Sequence, residues 1–98
     1  MPIRAIWNNT IIAETDKFMI LEGKFYFPPD SVNTTYLKKS GNQYVSRWKG
    51  TADYYDIVIG DKINRDAAWA YEEVDQEVAG IRGYFSFWNG VEIIKVNG

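Results

Sequence analysis

The feature that most constrains this chain is an alternation of period two, cut every few residues by Asn, Gly or Pro. Ile3, Ala5 and Trp7 alternate with Arg4, Ile6 and Asn8, and after Asn9 the pattern resumes as Thr10-Ile11-Ile12-Ala13-Glu14. Side chains on an extended chain point to opposite faces in turn, so this spacing builds strands with one face in a core. Asn8-Asn9 between apolar runs predicts a tight hairpin, because Asn tolerates positive φ. Phe18-Met19-Ile20-Leu21 and Lys24-Phe25-Tyr26-Phe27 follow as two more strands, with Glu22-Gly23 between them. The first 27 residues therefore read as an antiparallel meander.

Pro28-Pro29 ends that sheet, since proline cannot donate to a ladder. Asp30, followed by Ser31-Val32-Asn33, reads as the cap of one short helical turn. Residues 34–43 are polar, and Lys38-Lys39-Ser40-Gly41-Asn42 reads as an exposed loop tip. Tyr44 to Arg47 is a short strand and Trp48-Lys49-Gly50 a turn. Thr51 to Ile59 is the longest strand candidate, and Gly60-Asp61 fits a type II′ turn into Lys62-Ile63-Asn64. Ala67-Ala68-Trp69-Ala70-Tyr71 is open between helix and strand: alanine favours the first and aromatics the second. Glu72 to Gly80 reads as an acidic surface loop with room for one helical turn. Ile81, Gly83, Phe85 and Phe87 alternate again, and Asn89-Gly90 signals a hairpin into Val91 to Val96. Trp7-Asn8-Asn9 and Trp88-Asn89-Gly90 resemble each other, which fits first and last strands lying side by side.

With 98 residues, 46% apolar and 16% aromatic, the chain has the material for one core and one domain. It contains no Cys and no His. Disulfides, thiolate zinc, cysteine nucleophiles, Ser-His-Asp catalysis and imidazole ligation are all excluded. Any metal site would be all oxygen, which favours Mg²⁺ or Ca²⁺. A formal charge of −2 gives no global pull toward nucleic acid or an anionic membrane. The longest apolar run is the four residues Phe18 to Leu21, far short of the roughly 18 a membrane-spanning helix needs. The N-terminus lacks a secretory signal pattern, so a cytoplasmic protein is the default expectation.

Trp48-Lys49-Gly50-Thr51, with Arg47 before it and Asp53, Tyr54 and Tyr55 after it, is the stretch richest in chemistry. A glycine turn exposes backbone N–H groups and a lysine supplies charge for an anion, while aromatics give flat walls. The plainer reading is a β-turn with a solvated lysine over core aromatics. Tyr54 and Tyr55 must face opposite sides of a strand, so only one can line a given pocket. Trp69 and Tyr71 share a face if extended and could form an aromatic box with Trp48, or simply belong to the core. Asp53, Asp56, Asp66, Glu22, Glu72 and Glu73 supply the carboxylates, but Asp53 and Asp56 lie on opposite faces of a regular strand and no DxD motif occurs. Lys38, Lys39, Arg47 and Lys49 interleave with Tyr36, Tyr44 and Trp48, a single-strand nucleic-acid pattern that the balanced charge elsewhere argues against.

Together these segments resemble the DUF427 domain family, also labelled nucleotidyltransferase-like, over nearly the whole chain. The resemblance rests on Trp7-Asn8 with Ile12-Ala13, Leu21-Glu22-Gly23 to Tyr26-Phe27-Pro28-Pro29, Trp48-Lys49-Gly50-Thr51-Ala52-Asp53-Tyr54-Tyr55, Asp66 to Tyr71, and Ile81-Arg82-Gly83-Tyr84-Phe85-Ser86-Phe87. It implies a mainly β, compact single domain of antiparallel, tent-like sheets spanning 1–98, with at most one or two short helical turns. That architecture is similar to methionine-R-sulfoxide reductases and to the ligand-binding domain of cereblon. Those relatives hold zinc through paired cysteines, so neither structural zinc nor thiol chemistry is expected here. The family's lysine-glycine motif maps onto Lys49-Gly50 and its alanine-tryptophan motif onto Ala68-Trp69. Ser46-Arg47-Trp48 stands where members commonly have Cys-Pro, and Glu72-Glu73-Val74 where they often have proline.

The leading expectation is a small-molecule binding domain with no cofactor and no metal. Its pocket lies around Trp48-Lys49-Gly50 and Trp69. Lys49 neutralises an anionic group with Arg47 at the rim, Trp48, Trp69 and Tyr54 or Tyr55 stack on a ring, and Glu22 or Asp53 accepts a hydrogen bond. One alternative is a nucleotidyl-transfer or hydrolytic enzyme using Lys49, Asp53 and a tyrosine. Another is a protein-interaction module that presents a sheet edge or the Lys38-Lys39 loop. The oligomeric state stays open.

Overall fold

The computed structural model describes residues 1–97, which form three antiparallel sheets. Strands β1 (Ile3–Trp7) and β2 (Thr10–Thr15) make the expected hairpin, with Asn8 and Asn9 at φ 52° and 57°, as a type I′ turn requires. The last strand, β9 (Glu92–Lys95), pairs with the free side of β1, from Ile3 opposite Lys95 to Ile6 opposite Glu92. First and last strands do lie side by side.

Strands β3 (Met19–Leu21) and β4 (Lys24–Tyr26) form a second hairpin around Glu22 and Gly23, but in a sheet of their own. The continuous meander expected over the first 27 residues is therefore broken. After β2, the Lys17 N–H donates to Thr15 Oγ1 at 2.9 Å, and the chain bends away from the first sheet instead of pairing on. Two 3-10 turns follow, Pro29–Ser31 and Thr34–Tyr36, where one was expected. Asn33 caps the second by accepting from the Thr35 N–H, while Asp30 caps neither.

The third sheet has the order β5 (Leu37–Ser46), β6 (Gly50–Ile59), β7 (Lys62–Val74), β8 (Phe85–Phe87). The polar segment 38–42, expected as a loop tip, lies inside β5. It is polar because β5 is an edge strand exposed along most of its length, and residues 40–42 bulge out between the Lys39–Tyr55 and Gln43–Asp53 pairs. Residues 67–71 are strand, settled by ladders to β6 on one side and β8 on the other. The same strand runs on to Val74, so the acidic loop begins later, and Gln76–Ile81 is a 3-10 segment. Ile81 and Gly83 fall outside β8, where Gly83 at φ 77° donates its N–H to the Tyr71 carbonyl at 2.9 Å. Asn89-Gly90 is a turn with both residues left-handed, yet it joins β8 to β9 in a different sheet and is no hairpin.

Pleating divides the core. On one face of β6 and β7, Tyr55, Ile57, Ala68 and Ala70 pack with Phe27, Phe85, Phe87, Ile3 and Ile12. On the other face, Ala52 and Tyr71 join Tyr26, Val78 and Ile81. Tyr26 and Phe27 thus serve opposite clusters from adjacent positions, and reciprocal backbone bonds between Phe27 and Phe85 (2.7 and 2.9 Å) fasten that junction. Among the described residues, no helix is long and apolar enough to cross a membrane.

Phe27 is fully buried and meets Phe87 edge-on with centroids 5.4 Å apart. Phe27→Ala is expected to cost about 3–5 kcal/mol in chemical denaturation, a loss large enough to leave much of the population unfolded.

Candidate functional site

Strand alternation places five side chains in register on the face of the third sheet that is turned away from the main core. Tyr54 stands across from Trp69, and Ala52 across from Tyr71. Tyr44 of β5 stands across from Ala52 on the other side. The small Ala52 leaves a hollow among these aromatics. Tyr26 from β4 and Trp88 from the turn after β8 complete its walls, and Glu22 and Lys24 of the β3–β4 hairpin line it together with Lys49. The result is a cleft of about 220 Å³. Trp69 organises the wall: its ring is nearly perpendicular to Tyr26 (87°) and to Trp88 (81°), and its indole N–H donates to Tyr26 Oη at 3.4 Å. Trp88 is held in turn by donating Nε1–H to the Asp66 carbonyl at 2.6 Å.

Lys49 lies in the short turn from β5 to β6, and its backbone is tied on both sides. Its N–H donates to Ser46 Oγ (3.2 Å) and its carbonyl accepts from the Asp75 N–H (3.1 Å). Its side chain is only 12% exposed. The ammonium lies 5.2 Å from the Trp48 ring centroid and 5.7 Å from that of Tyr71, within cation–π range. Its ion-pair partner is Glu22, whose side chain is 49% exposed. Gly50 next to it has φ 115°, and a Cβ there would run into the Glu73 carbonyl. Glycine at 50 is thus required by the crossing of β6 and β7 and does not line the cleft.

Two of the cleft phenols, Tyr54 and Tyr71, are hard to ionise. Burial pushes Tyr71 up to about 12, reinforced by neighbouring Tyr26, Tyr44 and Tyr54 and by the Glu22 carboxylate. Burial also raises Tyr54, with Asp66 adding to the effect. At neutral pH these hydroxyls keep their protons and can donate hydrogen bonds.

Of the residues picked out from sequence, Glu22, Lys49, Tyr54 and Trp69 come together in the cleft. Trp48 lies outside it, 40% exposed, and carries Lys49 on its ring. Tyr55 takes the opposite face of β6, packing edge-on against Phe85 (5.1 Å) and donating its hydroxyl to Glu72 Oε1 (3.3 Å). Asp53 lies on that same far face, where Gln43 donates to it (2.8 Å) and Lys39 approaches to 3.6 Å. Arg47 is exposed and is not among the lining residues. Lys24, Tyr26, Tyr44, Ala52 and Trp88 were missed as site residues, and Tyr71 was read only as a partner in an aromatic box. Period two from Tyr54 and Trp69 leads to Ala52 and Tyr71, but no local signal marks Tyr26 or Trp88. Trp88, not Trp48, closes the box. Among the described residues, no three carboxylates gather where they could hold a metal ion.

The model of the protein family described as "Domain of unknown function (DUF427)" matches residues 1–97, and the chain belongs to that family. No curated protein is matched by the chain at a significant level.

Two outcomes follow from this geometry. Gly50→Ala forces both a left-handed alanine and a backbone collision, and is expected to cost about 3 kcal/mol or more in urea unfolding. Tyr55 and Tyr71 both ionise near 12, against 10.0 in an unfolded chain. Above pH 10 the unfolded chain therefore loses its phenol protons first and binds fewer of them. Stability is full below pH 10 and falls as pH rises toward 12. Phenolate absorbance should show Tyr55 and Tyr71 still protonated above pH 10, and ionisation of all seven tyrosines near pH 10 would contradict the arrangement.

Proposed function

We propose that this DUF427-family chain is a cytoplasmic small-molecule binding domain, its sheets arranged like a tent, whose ligand combines a flat ring with an anionic group. The observation that carries the reading is the Lys49 ammonium, its side chain 12% exposed, in a cleft walled mostly by Tyr and Trp. An ion pair in such surroundings seldom favours folding over a well-packed apolar residue. A recognition role gives the charge a reason that stability does not. The cleft is larger than the roughly 150 Å³ that holds benzene and smaller than the roughly 300–1,000 Å³ of drug-sized sites. A mono- or bicyclic ring fits that range, with the Tyr54 and Tyr71 hydroxyls available as donors.

A nucleotidyl-transfer or hydrolytic enzyme built on Lys49, Asp53 and a tyrosine draws less from the same geometry. Asp53 is across the sheet, engaged by Gln43 and Lys39, and the Tyr54 and Tyr71 phenols are pushed away from the range of a general base. A protein-interaction surface has scattered support in the exposed Ile20 and Val45.

The test is a thermal-shift screen against small aromatic acids, aromatic amines and mononucleotides, with Lys49→Met and Trp69→Ala in parallel. A ligand at 100 times its Kd adds about 2.7 kcal/mol of stability. Hits are expected among the acids and lost in both variants. Lys49→Met itself should alter stability by no more than about 1 kcal/mol, because Glu22 is left half-exposed to water. Hits indifferent to both substitutions, or none in the wild type, would remove the reading.

A further inference from the structure

The anion position of the cleft is already taken. Glu22 sits at the tip of the β3–β4 hairpin with φ 52°, a left-handed position that Asn or Gly fills more readily. From there its carboxylate reaches Lys49, 27 residues along the chain. A glutamate held against its backbone preference, in contact with a lysine almost closed off from water, does what an incoming carboxylate would do. Resting on the reading of the cleft as a binding site, we infer that Glu22 is an internal competitor, and that the natural ligand class is planar aromatic monocarboxylates, which enter by exchanging their carboxylate for that of Glu22 on Lys49.

Three observations carry this. The ion pair joins a nearly covered partner to a half-exposed one, so the exposed glutamate can leave into water while Lys49 stays in place. Glu22 belongs to a two-stranded sheet that carries no other strand, so its tip can move without opening a ladder of the main sheet. The lining holds two lysines against one carboxylate, and Lys24 has no ion-pair partner among the described residues. Once Glu22 swings out, the cleft is left cationic. Of the two lysines only Lys49 already seats a carboxylate, and one carboxylate on one ammonium is the exchange a monocarboxylate makes, whereas phosphate recognition ordinarily draws on several converging donors.

The test is a titration of the complete chain with naphthoate and with naphthylmethylammonium, followed by the indole N–H signals of Trp69 and Trp88 in nitrogen–proton NMR spectra. Wild type, Glu22→Gln and Lys49→Met are compared. Removing a partly exposed competing charge is expected to tighten naphthoate by about three- to tenfold in Glu22→Gln. Lys49→Met should abolish naphthoate binding, and the ammonium probe should bind none of the three more tightly than naphthoate binds wild type. Naphthoate binding that is unchanged or weakened in Glu22→Gln overturns the inference and leaves the cleft reading standing. So does an ammonium probe that binds wild type more tightly and loses affinity in Glu22→Gln, since Glu22 would then be the anchor. If neither probe shifts either indole signal in any of the three proteins, the cleft reading fails and the inference with it.

Discussion

The pleat of the β6–β7 ladder determines where everything else goes. Tyr54 opposite Trp69 and Ala52 opposite Tyr71 look toward the cleft and the second apolar cluster; Tyr55 opposite Ala68, one residue on, looks into the main core. A slip of one residue would exchange the two sets and dismantle both the cleft and the main core. Bulges hold the register. Between the Tyr55–Ala68 and Ile57–Asn64 pairs, Asp56 faces three residues of β7, and its carboxylate accepts the N–H of Asp66 at 2.8 Å. A buried carboxylate is costly unless satisfied, and here it fixes the left-handed turn of Asp66 at φ 54°.

Asp66 passes that constraint to the cleft. Its carboxylate accepts from Asn42 Nδ2 at 2.8 Å, which ties the β5 bulge to the β7 bulge across β6. Its carbonyl accepts the Trp88 indole N–H. Trp88 comes from the turn that leads into the other large sheet, yet it stands beside Trp69 because this hydrogen bond aims it. Two irregularities in a ladder thus place one wall of the cleft.

At the opposite end the constraint is charge. Lys49 is drawn in by the β5–β6 turn and by the faces of Trp48 and Tyr71, and Glu22 is the carboxylate that balances it. The pair is also a tether between the small β3–β4 sheet and the large one. In the proposed binding role, ligand recognition and attachment of the hairpin would draw on the same two side chains.

Local chemistry made much of this legible in the sequence. Asn8-Asn9, Gly60 and the alternating runs specify where strands begin and turn, and Lys49, Tyr54 and Trp69 stand out because charge and aromatics sit at strand-forming positions. The sequence also settled that the chain supplies no thiol or imidazole of its own. What it did not reveal depends on distance in space. Residues 38–42 have the composition of a loop and become an edge strand only because β6 offers a partner. Residues 67–71 lie between helix and strand until two ladders bind them. Asn89-Gly90 has hairpin chemistry, but a turn does not choose which sheet its strands join. Likewise Tyr26, Trp88 and the seating of Glu22 on Lys49 come from elements far apart in the chain. Turn and strand preferences act over a few residues and can be read locally, whereas register, sheet membership and the closure of a cleft are settled only by contacts made after the chain has folded.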